Sequence, residues 1–220
     1  GGLSELDIAI ISEELAAGCS GMFTTIMASS LAFTPVILFG SDEQKKQFLT
    51  PCTRKLTFAA FCLTEREAGS DAGAIKTTAR KDGAEYVLNG SKCFITNGGI
   101  AGLYVVFANS NPDKGMRGLS AFIVPRDTPG LSVGKVEDKL GHRASNTAEV
   151  FFDDVRIPAA NLLHKEGLGF LVAMRTLDKT RASVGAAGVG VARAALDYAV
   201  DYAKTRVQFG KPIAAFQSTA

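Results

Sequence analysis

The sequence of 220 residues predicts an α+β fold with an N-terminal helical region, a central antiparallel β-barrel and the start of a C-terminal helical bundle. Three observations predict it. Up to about Pro51 apolar residues recur at helical spacing. Between Leu56 and about Pro158 they collect in short β-branched and aromatic runs punctuated by turn signals. After Asn161 a helical texture returns, with no proline between Pro158 and Pro212. Strands never interrupted by helices argue for a barrel or sandwich and against a doubly wound nucleotide-binding sheet. The expected domains are 1–55, helical and partial; 56–160, the barrel; and 161–220, the beginning of a second helical domain.

In the first region Ser4 is placed to cap a helix whose apolar stripe is Leu6, Ile8, Ile11 and Leu15, with Gly18 as its stop. Met22 to Leu31 forms a second, Ala-rich segment. Ser41-Asp42-Glu43-Gln44 has the spacing of a capping box ahead of a short helix ending near Leu49. These helices read as packing elements without chemistry of their own.

In the second region Leu56 to Leu63 is a strand of the buried type. Tyr86-Val87-Leu88 and Lys92-Cys93-Phe94-Ile95 flank Asn89-Gly90, which predicts a hairpin turn at that dipeptide. Leu103 to Ala108, Leu119 to Val124, Leu131 to Val136 and Ala148 to Ile157 follow as strands, with Pro129-Gly130 a turn. The third region reads as one very long helix through Phe170, Leu171, Met174, Leu177, Leu196, Tyr198 and Tyr202. Each glycine between Gly185 and Gly190 weakens it by roughly 1 kcal/mol relative to alanine, which points to close approach of a neighbouring helix. Gly188-Val189-Gly190 is no dinucleotide fingerprint, because no strand precedes it and the third glycine is missing.

Composition narrows the function. Hydrophobic residues at 46% and charged ones at 21% describe a soluble globular protein with a substantial core. Lys+Arg of 24 against Asp+Glu of 22, with no basic stripe, gives no reason to propose nucleic acid. No apolar run is expected to span a membrane, and no signal pattern opens the chain. Cys19, Cys52, Cys62 and Cys93 lack metal-ligand spacing and stand apart from His142 and His164, so reduced thiols and no metal site are expected. Gly1-Gly2 without an initiator Met, and the untailed Phe216-Gln217-Ser218-Thr219-Ala220, read as the ends of a partial chain.

A redox flavin needs a strand edge with backbone and hydroxyl groups for the polar edge of its ring, plus an aromatic wall for its face. Phe61-Cys62-Leu63-Thr64, with the turn Ala68-Gly69-Ser70-Asp71, and Phe94-Ile95-Thr96 offer those groups. The same residues also read as barrel core and a plain turn, and physics alone favours that reading.

Motifs in order along nearly the whole chain tip the balance. Thr64-Glu65 with Ala68-Gly69-Ser70-Asp71, Asn89-Gly90-Ser91-Lys92, Phe94-Ile95-Thr96-Asn97 and Leu140-Gly141-His142-Arg143-Ala144-Ser145 lie in the middle region. Phe151-Phe152-Asp153-Asp154-Val155-Arg156-Ile157-Pro158, Leu177-Asp178-Lys179-Thr180-Arg181 and Arg206-Val207-Gln208-Phe209-Gly210 follow. Together they make the chain resemble the acyl-CoA dehydrogenase family, nearest its short- and medium-chain members. The resemblance implies that residues 56–160 bind FAD through Phe61, Cys62, Leu63, Thr64, Gly69, Ser70, Phe94, Ile95 and Thr96. Thr64 and Thr96 are implied to meet the ring edge. Phe94 stands where many relatives carry tryptophan, which keeps a stacking wall and loses an indole N–H. Arg66-Glu67 stands where relatives often have Pro-Gly, so that loop is expected to be shaped differently.

Arg206 is implied to bind the pyrophosphate of a neighbouring subunit's FAD, for which a planar guanidinium is suited. Gln208, Phe209 and Gln217 are implied to line the same place, so a homo-oligomer, a dimer of dimers, is expected. Ser70, Asp178 and Arg181 are implied acyl-CoA contacts, although Asp178 and Arg181, three apart on a helix, also read as a surface ion pair. The implied reaction is α,β-dehydrogenation of a straight-chain acyl-CoA, with electrons passed to an electron-transfer flavoprotein, in a bacterial cytoplasm or a mitochondrial matrix. No catalytic base is assigned. Thr180 occupies one of the family's two positions for it and cannot act as a base; the other is expected beyond Ala220. Glu65 belongs by its motif to the loop beside the flavin. An oxidase or monooxygenase on the same fold, or a non-catalytic acyl-CoA or flavin-binding fragment, are the alternatives.

Overall fold

The structure is a computed structural model describing residues 2–219. Its packing divides into two compact units, Thr24–Thr180 on one hand and Gly1–Phe23 with Arg181–Ala220 on the other. Helix α1 (Glu5–Phe39) opens on a reciprocal cap: Asp7 N–H donates to Ser4 Oγ at 3.2 Å, and Ser4 N–H donates to the Asp7 carboxylate at 2.8 Å. Its backbone breaks at Cys19 (φ −162°, ψ 107°), one residue past the predicted stop at Gly18. The second stretch continues beyond Leu31 and through Pro35 to Phe39, because Ala32 and Val36 are fully buried in the core and their burial outweighs the hydrogen bond a proline forfeits.

By length and composition α1 is apolar enough to cross a membrane, with a window of mean hydropathy 1.7, contrary to the expectation that no such run exists. Its interspersed Ser and Thr disguise the run by eye. The predicted capping box at Ser41 forms in full, and Gln44 also donates to Ala160 O and Leu162 O, at 2.7 and 2.9 Å. Helix α2 (Asp42–Gln44) runs through a π turn (Lys45–Leu49) into α3 (Thr50–Arg54), past the predicted end, because Pro51 sits in the first turn of α3 where its missing N–H is no loss.

The barrel region is one sheet: β1 (Ala59–Cys62), β2 (Thr78–Asp82), β3 (Glu85–Thr96), β4 (Leu103–Asn109), β5 (Leu119–Pro125), β6 (Leu131–Val136), β7 (Thr147–Pro158) and β8 (Leu162–Leu163). Pairing follows β6-β7-β3-β2-β4-β5-β8, with β1 added on β4. Among the described residues no pairing joins the end strands β6 and β8. Most pairs are antiparallel, as predicted, but β1–β4 and the single β2–β4 bridge are parallel. Long connections join those strands, and only a short turn obliges neighbours to run antiparallel.

The expected hairpin at Asn89-Gly90 is corrected. Strand β3 runs straight through that dipeptide, and the turn lies at Gly83-Ala84, where β2 and β3 pair from Asp82↔Glu85 to Thr78↔Asn89. Gly90 (φ +147°) instead forms an irregularity in the β3–β7 register between Leu88 and Gly90, and a Cβ there would meet Thr77 within 2.6–2.9 Å. Asn89 braces it, donating to Asp154 Oδ1 at 2.9 Å and accepting from Asp154 N–H at 2.8 Å.

Strand alternation builds two cores. Ala59 and Leu63 with Leu103, Val105 and Phe107 face a cluster closed by Ala32 and Val36 of α1 and by Val172 and Ala173 of the last long helix, α4 (Gly169–Thr205). Ala60 and Cys62 with Tyr104, Val106 and Ala108 face the other cluster, which holds Tyr86, Phe122 and Ile157. In the second unit, the Gly190 backbone of α4 lies so close to α1 that an added Cβ would fall 2.0 Å from Glu13 O, and Arg193 pairs with Glu13 and Glu14 at 3.4 and 2.6 Å. That is the close helix approach predicted from the glycines.

Candidate functional site

A cleft of about 430 Å³ lies within Thr24–Thr180. One wall is the exit of β1 and the following turn: Phe61, Leu63, Thr64, Gly69 and Ser70. The facing wall is the end of β3: Phe94, Ile95 and Thr96. Ala28 and Leu31 of α1, with Met174 and Leu177 of α4, line the helical side. Two segments distant in sequence thus meet across one cavity. Parallel pairing of β1 with β4 aims the chain after Cys62 toward β3, and Cys93 N–H donates to Thr64 O at 3.0 Å to join the walls.

Phe94 is the unusual member. Its backbone is at φ +56°, a region that costs a bulky residue of order 1–3 kcal/mol, and its ring is 64% exposed. The β3–β7 register shifts between Lys92 and Ile95, so the bulge turns Phe94 out of the core. Phe61 faces the cleft from the opposite wall, its ring backed by Phe107 at a centroid distance of 4.8 Å. At the end of β3, Asn97 (φ +63°) donates to Thr25 O, Ser29 Oγ and Ala59 O, tying α1 to the floor of the cleft.

Beneath the walls lies a buried ion pair. Lys92 donates to Glu65 Oε1 at 2.7 Å and to Leu63 O at 3.1 Å. Glu65 also accepts from Lys76 N–H at 2.6 Å and Thr77 N–H at 3.0 Å. Burial pushes the Glu65 carboxyl up, but the Lys92 ammonium and these hydrogen bonds outweigh it and hold the group below its usual range. Burial pulls the Lys92 ammonium below the usual lysine value despite Glu65. Glu65 is therefore an ionised, fully engaged carboxylate and no free base. Arg66 and Glu67, the unusual pair of this loop, reach Glu149 and Lys76 across exposed ion pairs.

The other expected site residues fall as follows. The Cys62 side chain points into the second core, where burial pushes its thiol up to about 12, so only its backbone can serve the cleft. Asp178 and Arg181 are exposed on α4. The Thr180 hydroxyl donates back to Thr176 O at 3.1 Å, an ordinary helical use. In the second unit Arg206, Gln208, Phe209 and Gln217 lie exposed before, on and after a two-stranded ribbon, β9 (Val207–Gln208) and β10 (Lys211–Pro212), with Phe209 in its turn at φ +53° and 93% exposed. Sequence reasoning missed Lys92 and Glu65 as partners. Their signal was a lysine on a buried strand, where an unpaired ammonium is not tolerated.

Domain patterns of one family match the chain in order: acyl-CoA dehydrogenase, N-terminal domain, at residues 1–55; middle domain at residues 60–155; and C-terminal domain at residues 167–220. Acryloyl-CoA reductase (NADH) of Anaerotignum propionicum is 49% identical over 99% of this chain and 55% of its own length. The short-chain specific acyl-CoA dehydrogenase of Megasphaera elsdenii is 50% identical over 94% of this chain and 54% of its own. A chain in the structure of the electron transferring flavoprotein of Acidaminococcus fermentans superposes with a TM-score of 0.95 at 47% identity, over 99% of this chain and 58% of that one. The chain spans about half the length of the curated relatives it matches, and such relatives come from bacteria and mitochondria. With three consecutive domain patterns, these identities and the mixed sheet between helices all agreeing, the chain belongs to the acyl-CoA dehydrogenase family.

Proposed function

We propose that the protein carrying this chain catalyses FAD-dependent α,β-dehydrogenation of a straight-chain acyl-CoA to the 2-enoyl-CoA and passes the electrons to an electron-transfer flavoprotein. The observation that carries the proposal is Phe94: an aromatic ring held out of the core, at a backbone cost, over a cleft whose opposite wall offers Thr64 and Ser70. A flat, apolar-faced ring with one polar edge fits that cleft, with Phe94 against its face and the Thr64 and Thr96 hydroxyls toward its edge. Bound FAD supplies a two-electron acceptor for the hydride leaving the β carbon. On this reading Leu63, Met174 and Leu177, which line the cleft, keep water from the reacting carbons, and Ser70, on the same lining, contacts both ligands. By the family resemblance the α proton goes to a carboxylate outside these 220 residues; Glu65, whose oxygens are engaged, and Thr180, which is no base, do not take that role.

On the same reading Cys62 serves the flavin through its backbone, alongside Gly69 and Ile95, and Asp178 and Arg181 hold acyl-CoA. Arg206, Gln208, Phe209 and Gln217 serve the FAD of a neighbouring subunit in a dimer of dimers. The domains divide at 1–55, 56–160 and 161–220, and the enzyme works in a bacterial cytoplasm or mitochondrial matrix.

Anaerobic addition of butyryl-, octanoyl- or branched-chain CoA to the FAD-loaded, full-length protein tests the reading. A straight-chain ester should bleach the flavin, and readmitted oxygen should restore the colour slowly. Rapid reoxidation would make the protein an oxidase, and no bleaching by any ester would sink the dehydrogenase reading. The likeness to acryloyl-CoA reductase favours one second reading, the same two-electron exchange run toward reduction of an enoyl-CoA. Bleaching reversed by added 2-enoyl-CoA, against NADH-driven turnover of the same ester, separates the two directions.

A further inference from the structure

The two walls of the cleft come from segments joined by a buried charge pair that no step of the reaction uses. The Lys92 side chain is 0% exposed and its ammonium bridges Leu63 O and Glu65, on either side of Thr64. Lys92 itself immediately precedes Cys93, whose N–H bonds Thr64 O, and Phe94 follows one residue later. Glu65 extends the brace to Lys76 and Thr77 through their N–H groups, and it bonds reciprocally with Ala68, closing the turn that leads to Gly69 and Ser70. A buried ion pair is a poor stabiliser compared with apolar residues of the same volume, so stability alone does not account for this one. What it does fix is geometry: one ammonium sets the distance between the Thr64 wall and the bulge carrying Phe94.

We propose that Lys92 and Glu65 are positioning residues, whose pairing holds the Thr64–Ser70 turn and the Phe94–Thr96 bulge at the separation a flavin ring requires. This rests on the flavin reading above.

The test uses the full-length protein and three variants: Lys92→Met, the doubly neutral Lys92→Met/Glu65→Gln, and Ile157→Ala. Glu65→Gln keeps one acceptor oxygen, for either Lys76 or Thr77 N–H and not both, and Ile157 lies in the second core, away from the cleft. Thermal melting, FAD affinity by fluorescence titration and the visible circular dichroism of bound FAD are read for each. The double variant should melt no lower than Ile157→Ala, yet bind FAD at least tenfold more weakly than that control and with an altered dichroism band. A double variant that binds within about twofold of wild type, with the same band, would overturn the proposal. If the double variant does not fold, Lys92→Met compared with Ile157→Ala decides. Weak binding in the first alone supports positioning, and equal losses in both reduce the pair to a structural role. A wild-type protein that binds no FAD would instead overturn the flavin reading itself.

Discussion

Phe94 shows how a single backbone angle separates a core residue from one that lines a cleft. In the sequence it follows Lys92-Cys93 in a run that reads as strand interior, and nothing in the letters gives the sign of φ. The bulge at Lys92–Ile95 sets φ at +56° and leaves the ring 64% exposed, so the fold gains little burial from it and carries the strain. Phe94→Gly should therefore leave the melting temperature of the apoprotein unchanged or raise it, by relief of up to about 2 kcal/mol after glycine's own entropy cost. FAD affinity should fall about tenfold with loss of the stacking face, of order 1 kcal/mol. Differential scanning calorimetry and a fluorescence titration check both halves, and a large loss of apoprotein stability would contradict the account of strain. The motifs made Thr64, Ser70, Phe94 and Thr96 legible as a group. Lys92 with Glu65 was not legible as a pair, because a contact between a strand and a distant turn leaves no spacing to read.

Among the elements, the parts dictated by local chemistry were the legible ones. Ser41 and Gln44 cap their helix as their spacing requires, Leu131–Val136 is the strand its pattern predicts, and Gly18 stands one residue before a real break. Asn89-Gly90 misled because the dipeptide that suits a hairpin turn also suits a bulge, where Gly90 accommodates φ +147°. The true turn at Gly83 was hidden because Thr78–Asp82 has little apolar alternation to announce a strand. The α4 glycines behave differently from one another. A Cβ at Gly190 would meet Glu13 O at 2.0 Å, whereas one at Gly188 meets nothing within 4 Å. Gly190→Val should thus lower stability by about 1–3 kcal/mol or more through overpacking, while Gly188→Ala should raise it by up to about 1 kcal/mol. Denaturant unfolding of the two variants checks the contrast, and equal effects would show that helix propensity, not close approach, governs this stretch.

Taken whole, the chain displays the order anticipated from its texture, helices, then sheet, then a long helix, and three consecutive family patterns match along it. Parallel pairing of β1 with β4 was the part of the topology that texture did not carry, since apolar runs name strands and not their partners. Large apolar side chains remain exposed on both long helices, Leu6, Ile10 and Met22 on α1 and Leu196 and Tyr198 on α4, in a chain about half the length of its curated relatives. The central claim is that the walls at Phe61–Ser70 and Phe94–Thr96 hold FAD. Titration of the full-length apoprotein with FAD, for wild type and for Thr64→Val/Thr96→Val, tests it most directly. The account predicts saturable binding of one FAD per chain, weakened at least tenfold in the double variant; no saturable binding, or equal affinity in both proteins, would contradict it.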